Sequence, residues 1–143
     1  MPYKFLDEIA IADAAIEIKS KDLKELFTDA AEALTLTMIS ELNSIKKTNK
    51  KTIYIKAKDL ESLLFDFLEI LIYYKDAEQL IFSDYSINIK EEKTECMLEC
   101  VCLGENIDYN KHDLSSDVKA ITMHKFKVEK TNNGYNAFII LDI

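Results

Sequence analysis

Glycine and proline are nearly missing from this chain, at two and one in 143 residues. So little of either excludes collagen-like and low-complexity classes, and 48% hydrophobic with 31% charged residues reads as globular rather than disordered. The two glycines, Gly104 and Gly134, stand far apart. No glycine-rich loop can cradle a phosphate, which argues against an independent nucleotide-binding enzyme. Long apolar runs are missing as well. Ile70 to Tyr74 and Phe138 to Leu141 fall far short of the ~20 residues that a membrane span requires, and no signal peptide is recognisable, so neither a membrane nor a secretory setting is expected.

Cysteines number three, Cys96, Cys100 and Cys102, clustered and odd in number, without the paired spacing of a disulfide scaffold. In a strand Cys96, Leu98, Cys100 and Cys102 share one face, the pattern of buried core thiols in a reducing, cytoplasmic compartment. The two histidines, His112 and His124, have no cysteine or second histidine at a zinc spacing and no nucleophile beside them, so both read as structural or interface residues. Net positive charge is also missing: the formal charge is −8, which repels a nucleic-acid backbone. Strong direct nucleic-acid binding is not expected. An acidic surface suits a cation, a basic partner protein or plain solubility.

What is present fits one domain spanning 1–143, long enough to bury roughly two thirds of its unfolded surface. Short strands are expected at Lys4-Phe5-Leu6 and Ala14 to Ile18. Ser20 is a plausible N-cap and Asp22 favours the positive end of the dipole for a helix whose face is Leu23, Leu26, Phe27, Ala30, Leu34 and Met38. A polar, basic connection from Lys46 to Lys51 leads to a half-buried strand through Ile53, Ile55 and Ala57. Asp59 then caps a second helix with a wide apolar stripe, Leu60, Leu63, Leu64, Phe67, Leu71 and Tyr74, which must be buried or carry an interface. Four strands follow, Leu80 to Ile89, Glu95 to Leu103, Ile121 to Glu129 and Tyr135 to Leu141, the last two joined by a hairpin at Thr131-Asn132-Asn133-Gly134. Helices early and hairpin strands late predict an α+β fold: two layers, a mixed, mostly antiparallel sheet with both helices on one face.

The last strand ends on L-D-I, so Asp142 precedes the carboxylate of Ile143 as the chain is written. Adjacent carboxylates need a partner, a hydrogen-bond network or a cation wherever they are desolvated. Asp13, taken alone, reads as a turn or capping aspartate, and Lys119 as a surface lysine in a weak ion pair.

Four segments together carry a resemblance: F-L-D-E-I-A-I-A-D-A-A-I-E-I, K-D-L-E-S-L-L-F-D-F-L-E-I-L-I-Y, D-V-K-A-I-T-M-H and the final L-D-I. In that order the chain resembles the archease family over nearly all of its length. Many archeases carry His-Thr-Ala-Asp at the first of these segments, whereas Glu8 to Ala12 here contain no histidine and Asp13 is the residue that matches. The resemblance implies a two-layer α+β fold and a non-enzymatic role as protein cofactor of an RtcB-type RNA ligase in tRNA splicing or RNA repair. It would promote guanylylation of that ligase and its multiple turnover. The same resemblance implies that Asp13, Lys119 and Asp142 act in activation, and that a divalent cation, Ca²⁺ before Mg²⁺ or Mn²⁺, is held by Asp13, Asp142 and the carboxylate of Ile143. Oxygen-only donors suit such a hard cation. Lys119 would either neutralise the carboxylates or reach a nucleotide phosphate. Two other functions remain open on the residues alone, a metal-dependent hydrolase and a chaperone-like interaction module using the second helix.

Overall fold

A computed structural model describes residues 3–6 and 13–143; Glu8 to Ala12 of the first motif lie outside the described residues. Strands β1 (Tyr3–Leu6) and β2 (Asp13–Ser20) precede helix α1 (Leu23–Met38). Strand β3 (Asn49–Ala57) leads into helix α2 (Leu60–Glu78), and β4 (Leu80–Glu91), β5 (Cys96–Asn106), β6 (Ala120–Thr131) and β7 (Gly134–Asp142) complete the order.

The α+β class expected from the sequence is the observed one, but the strands divide between two sheets. One has the order β1-β2-β7-β6 and the other β3-β5-β4, and every described pairing is antiparallel. The division falls at the long segment between β5 and β6. Residues 107–119 do not turn back on β5 but cross the end of α1, where Ser115 and Ser116 donate their N–H groups to the Met38 and Thr37 carbonyls at 2.9 and 3.2 Å. Those carbonyls are among the four that a helix end leaves without partners.

Both helices pack against both sheets. One apolar cluster therefore runs through the molecule, with Ile16, Ile18, Ile139 and Leu141 from the first sheet, Ile53, Ile87, Leu98 and Cys100 from the second, and Leu26, Phe27, Leu64 and Phe67 from the helices. The cysteine face behaves as its alternation requires: Cys96, Leu98, Cys100 and Cys102 are all buried and the thiols are free.

Two local readings change. Asp22, not Ser20, is the N-cap of α1, accepting the Glu25 N–H at 2.8 Å. Ser20 belongs to β2 and donates its hydroxyl to Asp29 Oδ2 at 2.9 Å. Pairing also draws Asn49, Lys50 and Lys51 out of the expected connection into β3, opposite Gly104, Leu103 and Cys102, because backbone ladder bonds do not depend on side-chain polarity. Asp59 caps α2 as expected, accepting the Ser62 N–H at 2.8 Å.

Candidate functional site: three strand ends at one edge of the first sheet

Asp13 is the first residue of β2 and Asp142 the last of β7, and the two are direct cross-strand partners. On the other side of β7, Ala120 opens β6 opposite the same Asp142, and the Lys119 N–H donates to the Asp142 carbonyl at 2.8 Å. Strands β2, β7 and β6 thus bring together residues 13, 142 and 119. Residues directly opposite in an antiparallel pair share a face, with Cβ atoms roughly 4.5–5.5 Å apart.

The residues beside these ends are packed into the protein. Leu141 and Val118 are fully buried on either side of the Lys119–Asp142 bond, and Ile143 is half-buried against the main core. Asp13 is half-buried, whereas Asp142 and Lys119 are exposed. Like charges directly opposite each other destabilise a sheet unless something offsets them. Among the described residues neither aspartate forms an ion pair, and Lys119 pairs with neither of them. Among the described residues the geometry therefore leaves a carboxylate pair with a nearby lysine that forms no ion pair.

The donors available are carboxylate oxygens, the chemistry of a hard cation rather than of zinc. Asp13 and Asp142 contribute two side chains. Among the described residues no group of three His, Cys, Asp or Glu side chains converges anywhere. A cation at the sheet end would therefore be incompletely wrapped by side chains, with positions left for water or for oxygens of a partner.

One residue that sequence reasoning passed over lies just behind this end. Lys75, in the last turn of α2, is only 7% exposed. Its Nζ donates to Asp117 Oδ1 at 2.6 Å and to the Val118 carbonyl at 2.7 Å, and lies 2.7 Å from Asp76 Oδ1. Burial works against the charged ammonium, but the bonds to Asp117 and Asp76 outweigh it and the pKa is raised. A signal was present: Phe67, Leu71 and Lys75 recur at i, i+4, i+8, so the lysine continues the buried stripe.

The histidines separate. His112 is buried; its Nδ1 accepts the Asp108 N–H at 2.9 Å, so Nε2 carries the proton shared with Glu105 at 3.0 Å. That makes it a pin for the segment between β5 and β6. His124 is exposed, in a stretch where the β6–β7 register shifts between Thr122 and Lys127.

These features define a class: an α+β domain whose two sheets share one core, with a carboxylate pair and a lysine at the end of one sheet. Residues 3–143 match the family model described as the Archease protein family (MTH1598/TM1083). The chain is 31% identical over 142 residues to the archease of Methanosarcina barkeri, covering 99% of this chain and 95% of that one. It is 35% identical over 133 residues to the archease of Pyrococcus abyssi, covering 92% and 93%. Among solved structures, protein 1598 of Methanobacterium thermoautotrophicum superposes with a TM-score of 0.85 at 29% identity, covering 99% of both chains. The Thermotoga maritima archease, described as a "possible chaperone", shares the fold with a TM-score of 0.62 at 21% identity. This chain belongs to the archease family.

Proposed function

We propose that this protein is a non-enzymatic activator of an RtcB-type RNA ligase, promoting guanylylation of the ligase and its repeated turnover in tRNA splicing or RNA repair in the cytoplasm. The observation that carries the reading is the register: Asp13 stands directly opposite Asp142, with Lys119 bonded through its backbone to the same residue. In this proposal the two aspartates hold a divalent cation, Ca²⁺ before Mg²⁺ or Mn²⁺. Such an ion would supply positive charge where phosphate charge develops during guanylyl transfer. The residues' own part is to present the oxygens at a paired sheet end and to leave Lys119 available to a phosphate as a mobile point charge.

The test is multiple-turnover RNA ligation and ligase guanylylation with purified ligase, comparing the wild type with Asp13→Asn, Asp142→Asn and Lys119→Ala. Each aspartate variant is expected to stay folded and to lose activation by at least about 10- to 100-fold, the scale seen when even a group behind a metal ligand is removed. Lys119→Ala should reduce ligase guanylylation more than complex formation. Full activation by either aspartate variant would overturn the reading. GTP hydrolysis by this protein without ligase would favour the metal-dependent hydrolase instead.

A further inference from the structure

Lys75 is a costly residue to place where it is. An ammonium loses its hydration on burial, and the loss must be made good by hydrogen-bond acceptors in good geometry. Three oxygens do so, and their positions are informative. The Asp117 carboxylate and the Val118 carbonyl belong to the two residues immediately before Lys119, while Asp76 is the lysine's own neighbour on α2. Asp76 and Asp117 are 57% and 74% exposed, so solvent weakens both ion pairs; the bond to the Val118 carbonyl is the buried one.

A lysine in the last turn of a helix is ordinarily explained by the helix dipole, which needs only a solvated charge near the end. Lys75 is instead turned into the protein, onto backbone of another segment. Residues 115 and 116 of that segment are held separately by the end of α1. Removing the Lys75 bonds therefore leaves the segment attached but frees the direction in which 117–119 enter β6. From there the connection is short: the Lys119 N–H bonds the Asp142 carbonyl, and Asp142 faces Asp13 across β7 and β2.

We propose that Lys75 is a positioning residue for the proposed site, fixing Asp117 and Val118 so that Lys119 and Asp142 meet in register at the sheet end. This rests on the ligase-activator reading for its functional consequence, but its structural core is independent of any partner. No contact of Lys75 with a cation or a nucleotide is implied; it acts through Asp117, Val118 and Lys119.

The experiment compares Lys75→Met, Lys75→Arg, Asp117→Ala and Asp76→Ala by backbone amide exchange, calorimetric titration with Ca²⁺ alone, and ligase activation. Lys75→Met should speed exchange at the Lys119 amide and weaken Ca²⁺ binding by about tenfold, the effect of removing a group that supports a metal ligand. The β3–β5–β4 amides should stay protected, and Lys75→Arg should restore much of the loss. The two aspartate variants keep the test decisive if Lys75→Met does not fold. Each removes one exposed ion-pair partner of the same lysine, but only Asp117 lies on the path to Lys119. Asp117→Ala should therefore loosen the Lys119 amide and lower activation, and Asp76→Ala should do neither. Equal behaviour of the two, or exchange rising evenly across both sheets in Lys75→Met, would overturn the proposal and make Lys75 a purely structural lysine. Should Asp142→Asn still activate the ligase, the function reading fails, and the Lys119 exchange rates alone decide whether Lys75 positions this strand end.

Discussion

At the scale of single residues, Glu105 is the most heavily bonded carboxylate described here. It accepts from Lys111 Nζ at 2.5 Å, the Lys46 N–H at 2.7 Å and His112 Nε2 at 3.0 Å. Burial pushes its pKa up, but the bonds from Lys111, Lys46 and His112 prevail and hold it down to about 2. A depressed folded-state pKa stabilises the fold above the ordinary glutamate value, and that stability is lost as pH falls from 4.5 to about 2. Asp29 and Glu32 act in the opposite sense: burial raises both, so the stability linked to their protonated forms is lost as pH rises through the raised values. Because these overlap in the carboxylate range, the test is a difference. Glu105→Gln should flatten the acid limb of the stability curve relative to wild type, measured by urea unfolding at successive pH values, and leave the curve near pH 7 parallel to it. An unchanged acid limb would show that the three donors do not act on stability through this carboxylate.

At the scale of elements, the strands carry irregularities that periodicity does not announce. Gly104 on β5 is one. A Cβ there would meet the Ile81 carbonyl oxygen at 1.9 Å and the Phe82 Cα at 2.7 Å, where β4 shifts register between Phe82 and Asp84. Neither neighbour is a flexible side chain that can swing aside. Gly104→Ala should cost about 3 kcal/mol or more, as overpacking against backbone does, read from urea midpoints at constant slope. Strand β6 is the other irregular element. Ile121 to Glu129 reads as an even strand, yet the register shift leaves Met123 67% exposed and Lys125 at φ 58°, and turns Phe126 inward onto Phe65 at 5.3 Å between ring centroids. Bulges of this kind re-aim side chains in a strand, and here the result is a ring that ties β6 to α2.

At the scale of the whole molecule, two sheets that share no ladder among the described residues should still unfold together, because one core joins them. Phe67 is the test of that. It is fully buried, lies 6.1 Å from Phe27 of α1 and 6.5 Å from Tyr85 of β4 by ring centroids, and sits in the cluster that also holds Ile16 and Ile139 of the other sheet. Phe67→Ala should cost about 3–5 kcal/mol. The loss should appear equally in amide exchange of both sheets and in a single thermal transition. Two separated transitions would mean that the sheets are independent units joined only by helices.

What the sequence determined by itself was whatever depends on near neighbours. The Asp59 cap, the stripe from Leu63 to Leu71, the cysteine face of β5 and the β6–β7 hairpin follow from spacings within a few residues, and together they imply the α+β class. Asp13, Lys119 and Asp142 could be singled out by resemblance, but not placed. Their meeting depends on the antiparallel register of β2, β7 and β6, which is set by how Ile16, Ile18, Ile139 and Leu141 pack in the shared core. The same holds for the division into two sheets, for the choice of Asp22 over Ser20 as a cap, and for the burial of Lys75. Each is decided by which distant atoms lie close enough to satisfy a backbone or a charge, and only the tertiary structure supplies those atoms.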